Sequence, residues 1–174
     1  MSRRWFIGLG ANLGDARAAL ARTLVRLRKT PGVQVCGCSS LWQSAPVDAE
    51  GPDFYNAVVA LDSDLDPQAM LALAQSLEAI EGRQRPHRNA PRTLDIDLLL
   101  ADQLSIESPA LTLPHPRLHQ RAFVLAPLIE LDPGVQIPGL GAASLWLAGC
   151  AGQALERIGP LEPQGDASPL EQAR

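Results

Sequence analysis

The stretch Arg92-Thr93-Leu94-Asp95-Ile96-Asp97-Leu98-Leu99-Leu100 sets two carboxylates into an otherwise apolar run. Because successive side chains of an extended chain alternate between faces, this pattern predicts a strand that carries Asp95 and Asp97 on one face and buries the apolar residues around them. Two ionised carboxylates whose α-carbons lie roughly 6.5 Å apart repel each other, so cations between them would stabilise the strand. A pair of hard cations that also holds phosphate oxygens fits this spacing. A half-exposed strand with a solvated acidic face is the alternative.

The residues just before this strand are strongly basic. The segment from Gly82 to Arg92 contains four arginines and a histidine, although the whole chain carries a formal net charge of −4. Because the planar guanidinium fork suits phosphate oxygens, the segment predicts an anion site that meets the aspartate strand. A solvated basic loop is the alternative.

The composition of the chain indicates one globular domain. Its 174 residues are 46% hydrophobic and 20% charged, which is enough to bury a sizeable core. We expect this domain to span residues 1–158 and a disordered tail, rich in Pro, Gly and Glu, to follow at 159–174. The negative net charge argues against a general nucleic-acid binder, because phosphate backbones attract a positive surface.

The cysteines and the hydropathy of the chain indicate a reducing compartment. Cys36, Cys38 and Cys150 form neither a CxxC pair nor an even disulfide framework, so we expect free thiols. No apolar run approaches the ~18 residues of a membrane span, and no signal-peptide core is present. We therefore expect a cytoplasmic monomer that acts on small molecules, with no nucleic-acid or membrane partner.

Hydrophobic periodicity predicts the remaining elements, with aspartate caps at the starts of both helices. In order they are strand Trp5–Leu9, helix Ala16–Leu27, strands Val33–Trp42 and Phe54–Leu61, a helix opened by Asp66-Pro67 and ended by Gly82, and strand Leu94–Leu100. This βαββαβ order predicts an α+β fold with a ferredoxin-like core, in which both helices pack on one face of an antiparallel sheet. The pattern of residues 142–158 predicts a C-terminal helical extension.

Two further segments contain residues that could meet a ligand. Gly8-Leu9-Gly10-Ala11-Asn12-Leu13-Gly14 fails the dinucleotide fingerprint, because Leu13 stands where it requires glycine, and predicts instead a tight turn where backbone approaches a ligand or another strand closely. His115 and His119 are four residues apart, but Pro116 and the missing glutamate argue against a zinc site, and donors to phosphate fit better.

Arg121 and Phe123 stand two residues apart just after these histidines. They could present a guanidinium group and an aromatic ring to the same cleft. Ordinary core packing is the alternative for Phe123.

Three blocks together resemble the 6-hydroxymethyl-7,8-dihydropterin pyrophosphokinase (HPPK) family of folate biosynthesis. The similarity runs from about Trp5 to Pro133 and is carried by residues 10–14, 91–99 and 111–123. It implies a ferredoxin-like fold and transfer of diphosphate from ATP to the 6-hydroxymethyl group of the pterin, with AMP leaving. It also implies ATP as co-substrate and two Mg²⁺ ions.

The resemblance also implies a role for individual positions. The catalytic positions would be Arg83, Arg92, Asp95 and Asp97, with both aspartates as metal ligands. The ATP-binding positions would be Gln75, Glu78, Arg85, Leu98, Thr112, His115 and Arg121. The pterin-binding positions would be Gly10, Ser44, Ala45, Val47, Phe54, Asn56 and Phe123. The pterin assignment has independent chemical support, because an asparagine amide both donates and accepts hydrogen bonds and aromatic rings stack on a flat heterocycle.

Two other classes of protein share the same order of elements. An RNA-recognition motif would carry a basic-Gly-aromatic signature in its third strand, which residues 53–59 lack. A small-molecule regulatory module would have no need of a carboxylate pair beside an arginine-rich segment.

Overall fold

The computed structural model describes residues 1–46, 51–82 and 93–161. In these ranges it contains ten strands and four α-helices, joined in places by short 3-10 turns. In chain order they are β1 (Arg3–Ala11), α1 (Ala16–Lys29), β2 (Val33–Cys38), β3 (Ser40–Ser44), β4 (Phe54–Ser63), α2 (Pro67–Ile80), β5 (Asp95–Ala101), β6 (Ile106–Glu107), β7 (Thr112–Leu113), α3 (Ala122–Leu131), β8 (Gln136–Ile137), β9 (Gly141–Ala142), α4 (Ala143–Leu147) and β10 (Leu155–Pro160).

The main sheet is antiparallel and has β4 and β1 at its centre. Its strand order is β10-β3-β4-β1-β5, and β2 also pairs with β4. The predicted combination of helices with an antiparallel sheet is confirmed. In the register of the sheet, Gly10 of β1 lies between Asn56 of β4 and Asp95 of β5. Cross-strand neighbours point to the same face, so this register brings one end of three strands together as a single surface.

Each face of the sheet is covered by helices. One face of β1, with Trp5 and Ile7, packs against apolar residues of α1 and α2. Phe6 on the opposite face packs against Leu125 and Leu128 of α3.

The predicted helix starts are confirmed. Asp15 accepts a hydrogen bond from the Ala18 backbone N–H at 3.1 Å, and Asp66 accepts one from Ala69 at 2.8 Å. Both carboxylates thus satisfy a backbone donor that has no partner inside the first helical turn. Gly82, which follows α2, has a positive φ of 73°, a conformation that glycine adopts without strain.

The predicted single strand Val33–Trp42 is wrong, because the structure divides it into β2 and β3 at Ser39. The Ser39 hydroxyl accepts a hydrogen bond from the Val58 backbone N–H at 2.9 Å, and the Ser39 N–H donates to the Val58 carbonyl. A side chain thus replaces one bond of the β4 ladder at the break. The long predicted strand becomes two shorter ones that pair with the same partner.

The predicted C-terminal helix over residues 142–158 is also wrong. α4 ends at Leu147, a 3-10 turn follows, and Leu155–Pro160 forms β10 along the edge of β3. Gly149 and Gly152 weaken the helix, and pairing with an otherwise open strand edge favours extended backbone. β10 runs two residues past the expected domain end at 158, and residues 162–174 of the expected tail lie outside the described residues. Among the helices described, none is both long and apolar enough to cross a bilayer.

Candidate active site

The two aspartates lie side by side on β5 with glycine as each cross-strand neighbour. Asp95 pairs with Gly10 and Asp97 with Gly8 of β1, while Ile96 between them is buried on the other face. Because a cross-strand neighbour shares a face with its partner, a glycine places no side chain of β1 directly beside either carboxylate. The sequence predicts a tight turn over residues 8–14, but Gly8 and Gly10 lie inside β1. Their position keeps the carboxylate pair accessible.

His115 and Arg121 approach Asp97 from the segment that leads into α3. His115 Nε2 lies 3.9 Å from Asp97 Oδ1, and an Arg121 guanidinium nitrogen lies 3.9 Å from Asp97 Oδ2. These distances are too long for hydrogen bonds, but they place a ring nitrogen and a cation around one carboxylate. The side chains are partly exposed, at 20% for His115, 27% for Arg121 and 33% for Asp97.

His115 is a neutral hydrogen-bond donor at neutral pH. Burial, reinforced by the neighbouring Arg121 cation, lowers the pKa of the imidazole to about 4, although Asp95 acts in the opposite direction. The Arg117 backbone N–H donates to Nδ1 at 3.1 Å, so the neutral ring carries its proton on Nε2. The contact with Asp97 is therefore not an ion pair at neutral pH, and the Nε2–H points a donor into the site.

Arg121 also contacts the aromatic residue predicted beside it. The guanidinium carbon lies 5.5 Å from the centroid of the Phe123 ring, within the range of a cation–π interaction. Phe123 is partly buried against the core beneath α3. Core packing of Phe123 is therefore observed together with its contact to Arg121, and its role in binding stays a prediction.

A polar pair lies across Gly10 from the aspartates. Asn56 and Ser44 are 6% and 5% exposed, and the Asn56 amide nitrogen donates to the Ser44 hydroxyl at 2.9 Å. A β-carbon on Gly10 would lie 3.3 Å from Asn56 Oδ1, so only glycine lets this amide approach β1 without displacement. Phe54 lies two residues before Asn56 on the same face of β4, and Ala45 is exposed directly after β3.

The residues expected to bind ATP lie in different environments. Glu78 is 2% exposed and its Oε1 accepts a hydrogen bond from the Ile96 backbone N–H at 2.8 Å, so its carboxylate holds the outer edge of β5 between the aspartates. Leu98 is buried at 5%, whereas Gln75 is exposed on α2 and Thr112 is partly buried on β7. Val47, Arg83, Arg85 and Arg92 lie outside the described residues.

One buried residue near the site, Asn12, is not among the binding residues that the sequence predicts. Asn12 is 3% exposed and its amide nitrogen donates to the Pro52 carbonyl at 3.1 Å, which ties the end of β1 to the segment before β4. A polar residue inside an otherwise apolar and glycine-rich stretch is the signal that points to such a tie.

The carboxylate oxygens on β5 suit a hard cation that takes most of its ligands from phosphate and water and few from the protein. Within residues 1–46, 51–82 and 93–161, no group of three or more His, Cys, Asp or Glu side chains forms a metal cage. Two carboxylates with an open side match Mg²⁺, which prefers oxygen and is usually bound by one or two carboxylates together with phosphates and water. The residues present therefore fit a cation that arrives with a phosphate ligand.

Comparison with known proteins gives one consistent match. The model of a family described as 7,8-dihydro-6-hydroxymethylpterin-pyrophosphokinase (HPPK) matches residues 6–133. A protein of Methylorubrum extorquens named 2-amino-4-hydroxy-6-hydroxymethyldihydropteridine pyrophosphokinase is 40% identical over 137 residues, which are 78% of this chain and 87% of that protein. A Pseudomonas aeruginosa protein of the same name is 36% identical over 159 residues, 91% of this chain and 98% of that one.

Solved structures are similar in fold at much lower identity. The crystal structure of wild-type Plasmodium falciparum HPPK-DHPS with pterin and p-hydroxybenzoate aligns with a TM-score of 0.66 and 15% identity, over 86% of this chain. This chain spans 42% of the length of that one. At this identity the likeness concerns the fold alone.

Proposed function

This chain belongs to the 7,8-dihydro-6-hydroxymethylpterin-pyrophosphokinase family, and from this membership we propose how its residues divide the work of the reaction. It is an ATP-dependent diphosphotransferase (pyrophosphokinase) of folate biosynthesis. It transfers diphosphate from ATP to the 6-hydroxymethyl group of 6-hydroxymethyl-7,8-dihydropterin and releases AMP. One observation supports the location of the site: Asp95 and Asn56 flank Gly10 on one face of the sheet.

Asp95 and Asp97 are proposed as the ligands of two Mg²⁺ ions. Support comes from their position on one face, the glycines opposite them and the absence of a complete protein cage among the described residues. When bound, Mg²⁺ would neutralise negative charge on the phosphates of ATP. The aspartates also hold the site negative before ATP arrives, which favours binding of the nucleotide together with its cations.

His115 and Arg121 are proposed to bind the phosphates of ATP. The Nε2–H of neutral His115 donates one hydrogen bond without adding charge, whereas Arg121 adds a permanent cation beside Asp97. Arg83 and Arg92 are proposed on the transferred phosphates, and Gln75, Arg85, Leu98 and Thr112 complete the contacts with ATP. For Glu78 the buried bond to Ile96 favours support of β5 over direct contact with ATP.

The pterin is proposed to lie on the other side of Gly10, between Phe54 and Phe123. The ring edge of a pterin alternates donors and acceptors, and the amide of Asn56 can match both while the Ser44 hydroxyl holds it in one orientation. Gly10, Ala45 and Val47 would contribute backbone and space around the ring. Stacking between two aromatic side chains then fixes the plane of the pterin.

In this arrangement the hydroxymethyl oxygen attacks the β-phosphorus of ATP in line with the AMP leaving group. Phosphoryl transfer of this kind needs positioning and stabilisation of charge more than covalent help from the protein. The Arg121 guanidinium stabilises negative charge on the phosphate oxygens, and the stacked aromatic rings orient the attacking oxygen. Both effects depend on the register that brings β1, β4 and β5 together at one end.

We also infer that the core has the ferredoxin-like βαββαβ arrangement, in which β2 and β3 together correspond to its second strand. The strand order β3-β4-β1-β5 and the shared packing of α1 and α2 support this topology. We propose further that residues 1–161, which extend the expected domain to the end of β10 and buried Leu161, act as one catalytic domain, and that the enzyme is a cytoplasmic monomer without a nucleic-acid or membrane partner. The free thiols among the described residues and the net charge of −4 support that setting.

The test of the function is a direct product assay. The protein is mixed with MgATP and 6-hydroxymethyl-7,8-dihydropterin, and nucleotides and pterins are separated chromatographically. We expect equal amounts of AMP and pterin diphosphate. A reduced pterin that lacks the hydroxymethyl group is the control and should release no AMP. Formation of ADP in place of AMP, or AMP release with the control pterin, would contradict the proposal.

A further inference from the structure

We propose that Gln153, which lies beyond the family match at residues 6–133, is a positioning residue that fixes Arg121 at the active site. The inference rests on the proposed function, because it assigns to the C-terminal part of the chain a role in that same site. Nothing in the sequence around Gln153 marks it as functional.

The side-chain amide of Gln153 bonds to the backbone on both sides of Arg121. Its Nε2 donates to the Gln120 carbonyl at 2.8 Å, and its Oε1 accepts from the Ala122 N–H at 2.9 Å. We call this pair of bonds the Gln153 bracket. Arg121 itself is extended, with φ −122° and ψ 110°, and its side chain does not cap the helix. The bracket therefore supplies the partner that the first N–H of α3 lacks and holds the backbone of Arg121 from outside.

Gln153 is itself held in place. Its backbone N–H donates to the Cys150 carbonyl at 3.0 Å, at the end of the 3-10 turn that follows α4. Next to the bracket, the Trp146 ring of α4 meets the His119 ring edge to face, with 4.9 Å between centroids. The segment after α4 thus contacts the segment before α3 through a ring pair and through the bracket.

The bracket acts on a residue whose charged group contacts two other residues of the site. The Arg121 guanidinium lies 3.9 Å from an Asp97 oxygen and 5.5 Å from the Phe123 centroid, at the end of a long side chain. Because that group is several bonds from the backbone, a small rotation at Arg121 moves it by about an ångström or more. A displacement of that size can cost up to about 100-fold in rate.

Two substitutions test the bracket. Gln153→Ala removes both bonds. Gln153→Glu keeps an acceptor for the Ala122 N–H and places a second carboxylate oxygen against the Gln120 carbonyl. We expect each to lower kcat/KM for ATP by about 5- to 30-fold. Gln136→Ala is the control, because the side chain of this exposed glutamine donates to the nearby Gly134 carbonyl at 3.3 Å, and its loss should leave kcat/KM within about twofold.

A double-mutant cycle with Arg121→Ala separates positioning from general stability. If Gln153 acts through Arg121, Gln153→Ala should change kcat/KM less than about twofold in the Arg121→Ala background. Losses that multiply would overturn the proposal, because a merely structural residue would impair both backgrounds equally. Rates are normalised to folded protein by circular dichroism, and Gln153→Glu takes the place of Gln153→Ala in the cycle if the alanine variant does not fold.

Wild-type protein assayed in parallel distinguishes the two levels of inference. Release of no AMP by the wild type would overturn the function. An active wild type whose kcat/KM neither Gln153 substitution changes would overturn the bracket alone.

Discussion

At the scale of single residues, the site depends on glycine opposite the carboxylates as well as on the carboxylates themselves. Gly10 stands opposite Asp95, and a β-carbon there would lie 3.3 Å from Asn56 Oδ1, so glycine leaves room for the Asn56 amide. The carboxylates supply charge and Gly10 supplies room. Substitutions at each should therefore impair the enzyme in different ways.

Asp95→Ala and Asp97→Ala should each reduce kcat by at least about 100-fold, because each removes a charge that acts on the transferring phosphates. Folding should survive, since removal of one carboxylate relieves the repulsion between the pair. Steady-state AMP release and a thermal melt measure the two effects. Asp64→Ala, at an exposed aspartate beyond the far end of β4, is the control. Near-normal turnover in either site variant would contradict the assignment of both aspartates as metal ligands.

Gly10→Ala should weaken pterin binding by about 3- to 30-fold, because its β-carbon would lie 3.3 Å from an Asn56 oxygen that the Ser44 hydroxyl holds in place. Gly8→Ala is the matched control on the same strand, since its β-carbon would meet Leu99 at an ordinary 3.5 Å. Calorimetry with the pterin alone measures both. Equal losses for the two variants would show that Asn56 is not the group affected.

Phe123→Ala should weaken pterin binding by roughly 1–3 kcal/mol, the scale of lost ring stacking and buried area. ATP affinity should change much less. Separate titrations with pterin and with ATP decide the point, and Phe123→Tyr, which keeps the ring, should bind both ligands nearly as well as the wild type. Equal losses for pterin and ATP would mean that Phe123 serves the core alone.

At the scale of elements, α1 and α2 are joined by one buried carboxylate. The side chain of Glu81, the residue after α2, is 7% exposed, and its oxygens meet the guanidinium groups of Arg22, at 2.7 Å, and Arg26, both on α1. These two cations lower the pKa of the carboxyl group. The pair of helices is thereby fixed on the sheet face opposite α3, with α2 placed to bring Glu78 against β5.

Glu81→Gln should destabilise the protein by about 1–2 kcal/mol at pH 7, between the values for surface and buried pairs because the Arg22 side chain is 51% exposed. The pKa of Glu81 is lower in the folded than in the unfolded state, so its stabilisation is present above the unfolded value and is lost as pH falls through the folded one. The difference between variant and wild type should therefore shrink below the unfolded value, 4.5. Denaturant unfolding across pH measures it, and Glu156→Gln, at an exposed glutamate, is the control.

At the scale of the whole molecule, β10 forms one edge of the sheet and completes a polar network that joins β10, α3 and β3. β10 pairs with β3, and Arg157 on β10 meets the Glu130 carboxylate of α3 at 3.1 Å. The same carboxylate accepts hydrogen bonds from the backbone and hydroxyl of Ser40 and from the Trp42 indole N–H. Leu161, directly after β10, is buried at 8%. The C-terminal part of the chain therefore belongs to the folded unit.

A chain shortened to end at Leu161 should melt within about 2 °C of the full chain and keep AMP release within about twofold. A chain shortened to end at Ala154 removes β10 and Leu161, and it should lose on the order of 3 kcal/mol or more through the unpaired β3 edge and the lost apolar burial. Thermal and denaturant melts of both chains test this. Equal stability of the two would mean that β10 contributes nothing to the fold.

Much of the fold and of the site could be predicted from the sequence because it depends on local rules. The caps at Asp15 and Asp66 act on donors three residues away, and alternation along one strand places Asp95 and Asp97 on one face. The resemblance of residues 91–99 to the HPPK family adds the expected roles of both aspartates as metal ligands. Each of these inferences needs only neighbours in the chain.

Only the tertiary structure decided the features that join distant residues. The Gln153 bracket spans 33 residues, the Glu78 bond to Ile96 spans 18, and the break at Ser39 and the strand at the C-terminus both depend on pairing with strands elsewhere in the sheet. The low pKa of His115 likewise requires its burial beside Arg121. Burial and cross-strand pairing are properties of how elements pack, so no periodicity or local motif in the chain encodes them by itself.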